Sequence, residues 1–151
     1  MSLEDNKRIA LAFIDRVFVH QDPAAVDELA SEDFTPRTFG PLPPGREPLK
    51  RAMAQAGEGV SDPEFRIEDV IAEGDRVAVR LTTSAVHSGT FMGVPASGRR
   101  YSISEIHIFR IRDGRVAEHW HEFDKGALVR QLQGEPAAAP AAVGAGRVEP
   151  S

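Results

Sequence analysis

The chain has 151 residues, a formal net charge of −5 and no cysteine. That length fits one domain, and the missing cysteines exclude a disulfide framework, thiolate catalysis and cysteine-ligated metal. The basic residues are scattered along the chain, which argues against a nucleic-acid partner, and no apolar run approaches a membrane span, so no membrane partner is expected. The N-terminal MSLEDNKR is mixed in charge and leads into an amphipathic segment rather than an apolar targeting peptide, so a cytoplasmic protein is expected.

Leu3 to Val19 reads as a helix, with Ile9, Ala10, Phe13, Ile14, Val17 and Phe18 at helical spacing on one face. Ser2 is placed to cap it, with Asp5 in the first turn. Asp22-Pro23 opens a second, short helix, with Asp as cap and Pro at the first position. Ser31 to Phe39 reads as irregular, anchored by Phe34 and Phe39, and PLPPG (41–45) as a rigid loop. A third helix is expected from about Arg46 to Ala56.

From Pro63 the period changes to two, the signature of strands. Phe65 to Ala72 reads as a first strand, Glu73-Gly74-Asp75 as a turn, and Arg76 to Gly89 as a long second strand. In that strand Val77, Val79, Leu81, Thr83, Ala85 and His87 share one face. A Gly- and Pro-rich loop covers 89–100, and two more strands flank Asp113-Gly114. Asp124 to Leu132 reads as a short closing helix, and 134–151 as a low-complexity Ala/Pro/Gly tail whose composition predicts disorder. Helices first and an antiparallel meander after make an α+β arrangement. A curved four-stranded sheet wrapped over three N-terminal helices would leave a conical cavity.

The hairpin from Tyr101 to Asp124 concentrates the chemistry. It carries three of the five histidines (His107, His119, His121) together with Glu105 and Asp124. Tyr101, Ile103, Glu105, His107, Phe109 and Ile111 share one face of the first strand, and Ala117, His119, His121 and Phe123 share one face of the second. Whether the two sets meet depends on the turn. A two-residue I′ turn at Asp113-Gly114 sets His107 opposite Trp120 and turns His119 and His121 away. A three-residue turn sets His107 opposite His119 and Glu105 opposite His121. The second is preferred, because it also pairs Ile106 with Trp120 and Ile103 with Phe123, which puts an apolar patch on each face. The local sequence leaves both open.

Residues His87-x-Gly89-x-Phe91-x-Gly93-x-Pro95-x-x-Gly98-Arg99, the strand bearing His107, and Asp113-Gly114-x-x-x-Glu118-His119-Trp120 form a pattern that resembles the SnoaL-like polyketide cyclases, or ester cyclases. These belong to the nuclear transport factor 2-like α+β cones. The resemblance covers roughly residues 3–133, and implies a cone domain at 1–133 followed by the 134–151 tail. It implies an intramolecular aldol condensation that closes a ring of an aromatic polyketide without metal or cofactor. In the family an aspartate directly after the His-Trp pair acts as base, and here that position holds His121. The family often carries a histidine after the second helix, where this chain has Arg37.

Aldol chemistry needs a base for a proton α to a carbonyl and a donor for the enolate oxygen. Histidine titrates near neutrality, so His121 is the candidate base, Glu105 its orienting partner, and His107 and His119 the donors. Asp124 has two readings, a displaced base or the N-cap of the closing helix, and the cap is favoured. The expected substrate contacts are His87, Phe13, Phe34, Arg37, Phe91, Phe109 and Phe123. The expected partners are a small, hydrophobic, carbonyl-bearing substrate and a second copy of the chain, joined through the outer sheet face. The outer charges Arg66, Arg80 and Arg110 read as a solvated sheet.

Three rivals stand beside this reading. His119-x-His121 with His107 and Glu105 supplies enough ligands for zinc or iron, but the N-terminal helices argue against a cupin, and no metal or cofactor is expected. Other enzymes of the scaffold are a second rival. A ketosteroid isomerase-like site needs a tyrosine beside a protonated aspartate, and Tyr101 is the only tyrosine. A limonene epoxide hydrolase-like site needs an arginine between aspartates, where this chain has Glu105 and His107. A non-catalytic pocket for a hydrophobic ligand is the third. The clustered imidazoles oppose it, because an inert apolar pocket gains nothing from desolvated polar groups.

Overall fold

A computed structural model describes residues 2–37 and 42–137. Phe39, the start of the proline-rich loop and most of the expected disordered tail lie outside those residues.

Helix α1 spans Leu3–Phe13 and continues into a π-helical segment, Ile14–Val19. Ser2 and Asp5 close a reciprocal capping box at its start, satisfying amide groups that the first turn leaves without partners. Helix α2 spans Pro23–Leu29, capped by Asp22 with proline in the first turn, where a missing N–H costs nothing. Helix α3 runs Arg46–Gly59, and α4 runs Lys125–Leu132. The strands are β1 Ala30–Pro36, β2 Val60–Glu73, β3 Arg76–His87, β4 Arg100–Arg112 and β5 Arg115–Phe123. They form one sheet in the order β1-β5-β4-β3-β2.

Two corrections follow. Among the described residues the sheet has five strands, not four, and the helices are α1, α2, α3 and α4. The segment read as irregular is β1, an edge strand pairing parallel with β5 from Ala30↔Val116 to Pro36↔His119, with a shift in register. Its Glu32-Asp33 pair and Pro36 hide it from a propensity reading, and an edge position tolerates all three. Strand β2 also begins at Val60, directly after α3.

The strand alternation of β3 and β4 is as read. Val77, Val79, Leu81, Thr83, Ala85 and His87 are buried on β3, and Tyr101, Ile103, Glu105, His107, Phe109 and Ile111 on β4. The helices pack on this inner face. One apolar cluster joins Ala10, Phe13, Val17 and Val26 to Val77, Leu81, Phe109 and Val116. Burying one such aromatic or branched side chain contributes about 1.5–3 kcal/mol. A second cluster joins Leu128 and Leu132 of α4 to Ala85, Tyr101 and Ile103. The outer face carries Arg66, Arg80 and Arg110, paired with Glu68, with Asp69, and with Asp75 and Glu118.

The β4–β5 turn is the two-residue form. Arg112 pairs with Arg115, and Asp113 and Gly114 have φ of 52° and 74°, as a type I′ turn requires. The preference for three residues is therefore corrected. A bulge follows at once, because Ile111 pairs with Val116 but Arg110 with Glu118, so Ala117 is extra. That residue reverses the parity of everything after it. His107 lies opposite His121 and Phe109 opposite His119, all on the inner face.

Candidate active site

Along the inner face of β4, Tyr101 and Ile103 belong to one apolar cluster and Phe109 and Ile111 to the other. Between them lies a belt of polar groups: Thr83, Glu105, His107, His119 and His121. Thr83, Glu105, His107 and His119 are buried, and the His121 side chain is 15% exposed, which makes it the most accessible of the three imidazoles.

Glu105 is the hub. Its Oε2 accepts a hydrogen bond from Thr83 Oγ1, and its Oε1 accepts one from His121 Nε2. A carboxylate cannot donate, so this contact fixes the His121 tautomer with its proton on Nε2 and the lone pair on Nδ1. His107 Nδ1 lies 2.9 Å from His119 Nε2. The other nitrogen of His107, Nε2, is buried without a hydrogen-bond partner and stands 4.0 Å from Glu105 Oε1. The nearby carboxylate favours a proton on that atom, which makes His119 Nε2 the donor to His107 Nδ1.

The rings are layered. His107 and His121 stack with centroids 4.1 Å apart and planes 11° apart. Phe109 stacks on His119 at 4.9 Å, and Phe123 on His121 at 5.1 Å. Phe18, in the π-helical segment, covers His107 and His119 at 5.5 and 5.3 Å. This packing governs the charges. Burial, then repulsion from His121, drives His119 down to about 3. Burial, then His121 and His119, holds His107 well below the usual imidazole range. Both are neutral at pH 7. Burial, then the charge of Glu105, pushes the Tyr101 hydroxyl up to about 12.

The preferred register pairs Glu105 with His121 and His107 with His119, and those side chains do touch, although as diagonal neighbours rather than directly opposite residues. The remaining candidates lie elsewhere. Both nitrogens of His87 hold the 89–100 loop: Nε2 meets the Val94 carbonyl at 3.1 Å and Nδ1 meets Ser97 Oγ at 2.9 Å. Gly89 in that loop approaches the end of α3 so closely that a Cβ would meet the Glu58 carbonyl at 2.1 Å. Arg37 is turned to the outer face, where its Nε donates to Glu118 Oε2 at 2.7 Å. Asp124 caps α4, accepting from the Ala127 amide at 2.9 Å. Phe13 and Phe34 are fully buried core residues, stacked at 5.9 Å. Phe91 lies on Tyr101.

Thr83 and Phe18 belong to the site and were not among its expected members. Thr83 carries a legible signal, being the one hydroxyl among apolar residues on the inward parity of β3. Phe18 does not, since its direction depends on the π-helical turn. Two surface clefts, one lined by Val17, Gln21, Val26, Lys50 and Met53 and the other by Ser31, Asp33, Arg112 and Arg115, are not lined by the histidines. One set of described residues brings metal-ligating atoms together, Glu105, His107 and His121, whose ligand atoms all lie within 4.8 Å of one another.

The fold and this belt define a small α+β protein with acid/base groups held on the inner face of a curved sheet. The chain belongs to the SnoaL-like polyketide cyclase family, which it matches over residues 8–132. It is 39% identical over 75 residues to aklanonic acid methyl ester cyclase DnrD of Streptomyces peucetius, covering 48% of this chain and 51% of that protein. It is 39% identical over 77 residues to nogalonic acid methyl ester cyclase of Streptomyces nogalater, covering 48% and 55%. The matched part thus spans about half the length of these relatives. Among solved structures, TsrD from Streptomyces laurentii superposes with a TM-score of 0.78 at 30% identity, covering 87% of this chain and 97% of that one. A SnoaL-like polyketide cyclase from Agrobacterium tumefaciens shares the fold, with a TM-score of 0.71 at 23% identity over 87% and 98% of the two chains. No helix among the described residues is long and apolar enough to cross a membrane.

Proposed function

We propose that this protein closes a ring in a polyketide-like, carbonyl-bearing substrate by cofactor-independent intramolecular aldol chemistry, with His121 as the base. The observation that carries this reading is the Glu105–His121 contact inside the buried belt. Relatives that are methyl ester cyclases support the reaction class.

Glu105 holds Nε2–H, so Nδ1 is the nitrogen that would take the proton α to a carbonyl. The imidazolium so formed sits against the Glu105 carboxylate, which stabilises it where water is scarce. His107 Nε2–H would donate to the enolate oxygen. The enolate carbon then attacks a second carbonyl carbon, a C–C bond forms, and the new alkoxide takes a proton back from the site. The ring closure needs no oxidant and no added atom.

The test is turnover of a β-polyketone methyl ester by the parent chain and by His121→Ala. A positioned general base is worth about 10²–10⁴-fold, so the variant should lose turnover on that scale. Unchanged turnover in His121→Ala removes the base assignment, and a parent chain with no turnover of any such ester removes the cyclase reading.

A further inference from the structure

We propose that the loop joining β3 to β4 is a lid over the apolar entry to His121, and that His87, the last residue of β3, is the latch that holds it shut. The use of the lid in admitting a substrate rests on the reading of His121 as a site residue.

The belt is closed at one end and looser at the other. At the first end Phe13 and Phe109 are fully buried, and Phe18 covers His107 and His119. At the second end His121, the most accessible imidazole, stacks on Phe123. Phe123 is only partly buried, and packs with Phe91 and Val94 against the cluster of Tyr101 and Leu128. An apolar molecule therefore reaches the imidazoles past Phe123, where the loop lies across its way.

Phe91 and Val94 are the loop's inward residues. They pair across a two-residue turn, with φ of 52° at Met92 and 76° at Gly93, and each amide donates to the other's carbonyl. Residues paired in this way present their side chains to one side. Phe91 lies on Tyr101, while Met92 at the tip is exposed. At its start the loop is fixed by the Gly89 amide, which donates to the Gly59 carbonyl at 3.0 Å.

Beyond Val94 the loop buries little. Residues 95–99 are exposed, and they are tied to His87, which is fully buried. The His87 amide donates to the Arg99 carbonyl at 2.8 Å, and its carbonyl accepts from the Gly98 amide at 2.9 Å. The side chain adds a second set of ties. A carbonyl only accepts, so the Val94 contact at 3.1 Å sets the proton of the ring on Nε2. Nδ1 then accepts from Ser97, whose Oγ lies at 2.9 Å and whose amide lies at 3.3 Å. One imidazole thus holds both the inward tip and the exposed return of the loop. A segment with so little burial and with its hydrogen bonds near the surface opens at a lower free energy than the sheet beneath it. His87 is in this sense a positioning residue, acting on the site through the loop.

The test uses the full chain and two readouts. Hydrogen exchange at the Gly98 amide reports opening of the loop. Carbethoxylation by diethyl pyrocarbonate, followed by peptide mass spectrometry, reports access to His121, with the exposed His20 as the reference. His87→Leu removes both side-chain ties and keeps the main-chain bond to Gly98. It should speed Gly98 exchange and His121 modification together, about tenfold, as the loss of one or two hydrogen bonds requires, and leave the rate at His20 unaltered. Faster exchange without faster modification of His121 means that the loop does not cover it, and unaltered exchange means that His87 does not latch it. Either result overturns the proposal. If His87→Leu fails to fold, Ser97→Ala on the loop surface takes its place, with a rise of about threefold expected in both rates and the same two results overturning the proposal. Turnover enters neither readout, so a failure of the lid and a failure of the cyclase reading are told apart.

Discussion

Tyr101 offers a test of the electrostatics of the inner face that needs no substrate. It is the only tyrosine in the chain, so phenolate absorbance reports one group. Its side chain is 6% exposed and lies against Phe91 with ring centroids 6.3 Å apart. Burial first, and the charge of Glu105 second, raise its pKa from 10.0 to about 12. The unfolded chain releases this proton near pH 10 and the native chain near pH 12. Between those values the native state binds more protons, so stability falls as pH rises; below pH 10 the group has no effect. The difference is about 1.4 kcal/mol at pH 11, from the linkage relation at 25 °C. The assay is a spectrophotometric titration, with fluorescence of the single tryptophan, Trp120, confirming that the chain is folded at each pH. Urea unfolding at pH 9 and pH 11 of the parent and of Tyr101→Phe should differ by that amount. Glu105→Gln should return the midpoint only part of the way toward 10, since burial is the larger cause. A native midpoint at the denatured value, in folded protein, refutes the reasoning.

Two further outcomes follow from the site as built. Asp124→Ala removes the α4 cap and should cost about 1 kcal/mol in urea unfolding, with cyclisation turnover unaltered; a loss of turnover without a loss of stability would return Asp124 to the chemistry. Thr83→Val removes a buried hydrogen bond to a carboxylate and should cost about 1.5–3 kcal/mol at neutral pH, and a variant as stable as the parent would remove Thr83 from the belt.

What was legible in the sequence was whatever depends on neighbours in the chain. Caps at Ser2, Asp22 and Asp124 act within a few residues and are found where the residue types place them. The inward sets of β3 and β4 follow from alternation alone. Strand β1 was hidden because nothing near it requires a strand. Its partner β5 is some eighty residues away, and the pairing is satisfied on one side only. Phe18 was hidden for a related reason, because helical spacing places it on the right face but not against two particular imidazoles.

The hairpin shows how a turn can be misread while the face that its side chains share is read correctly. Both turn readings assumed that loop length alone fixes which face later residues take. Here it does not. A two-residue turn by itself would send His119 and His121 outward, and Ala117 cancels that by entering the strand as an extra residue. The signal was present in the chain. Val116 and Ala117 are consecutive apolar residues at a strand start, and both are buried, which regular alternation forbids and a bulge permits. After them the alternation is strict, with His119, His121 and Phe123 on one side and Glu118, Trp120 and Glu122 on the other. That downstream pattern specifies the register more strongly than the turn does, because a one-residue slip would bury Glu118 and Glu122 and expose the stacked rings. The chemistry follows the parity rather than the pairing. Glu105 lies opposite Phe123, yet reaches His121 across the diagonal. The site therefore requires only that the carboxylate and the imidazoles share a face.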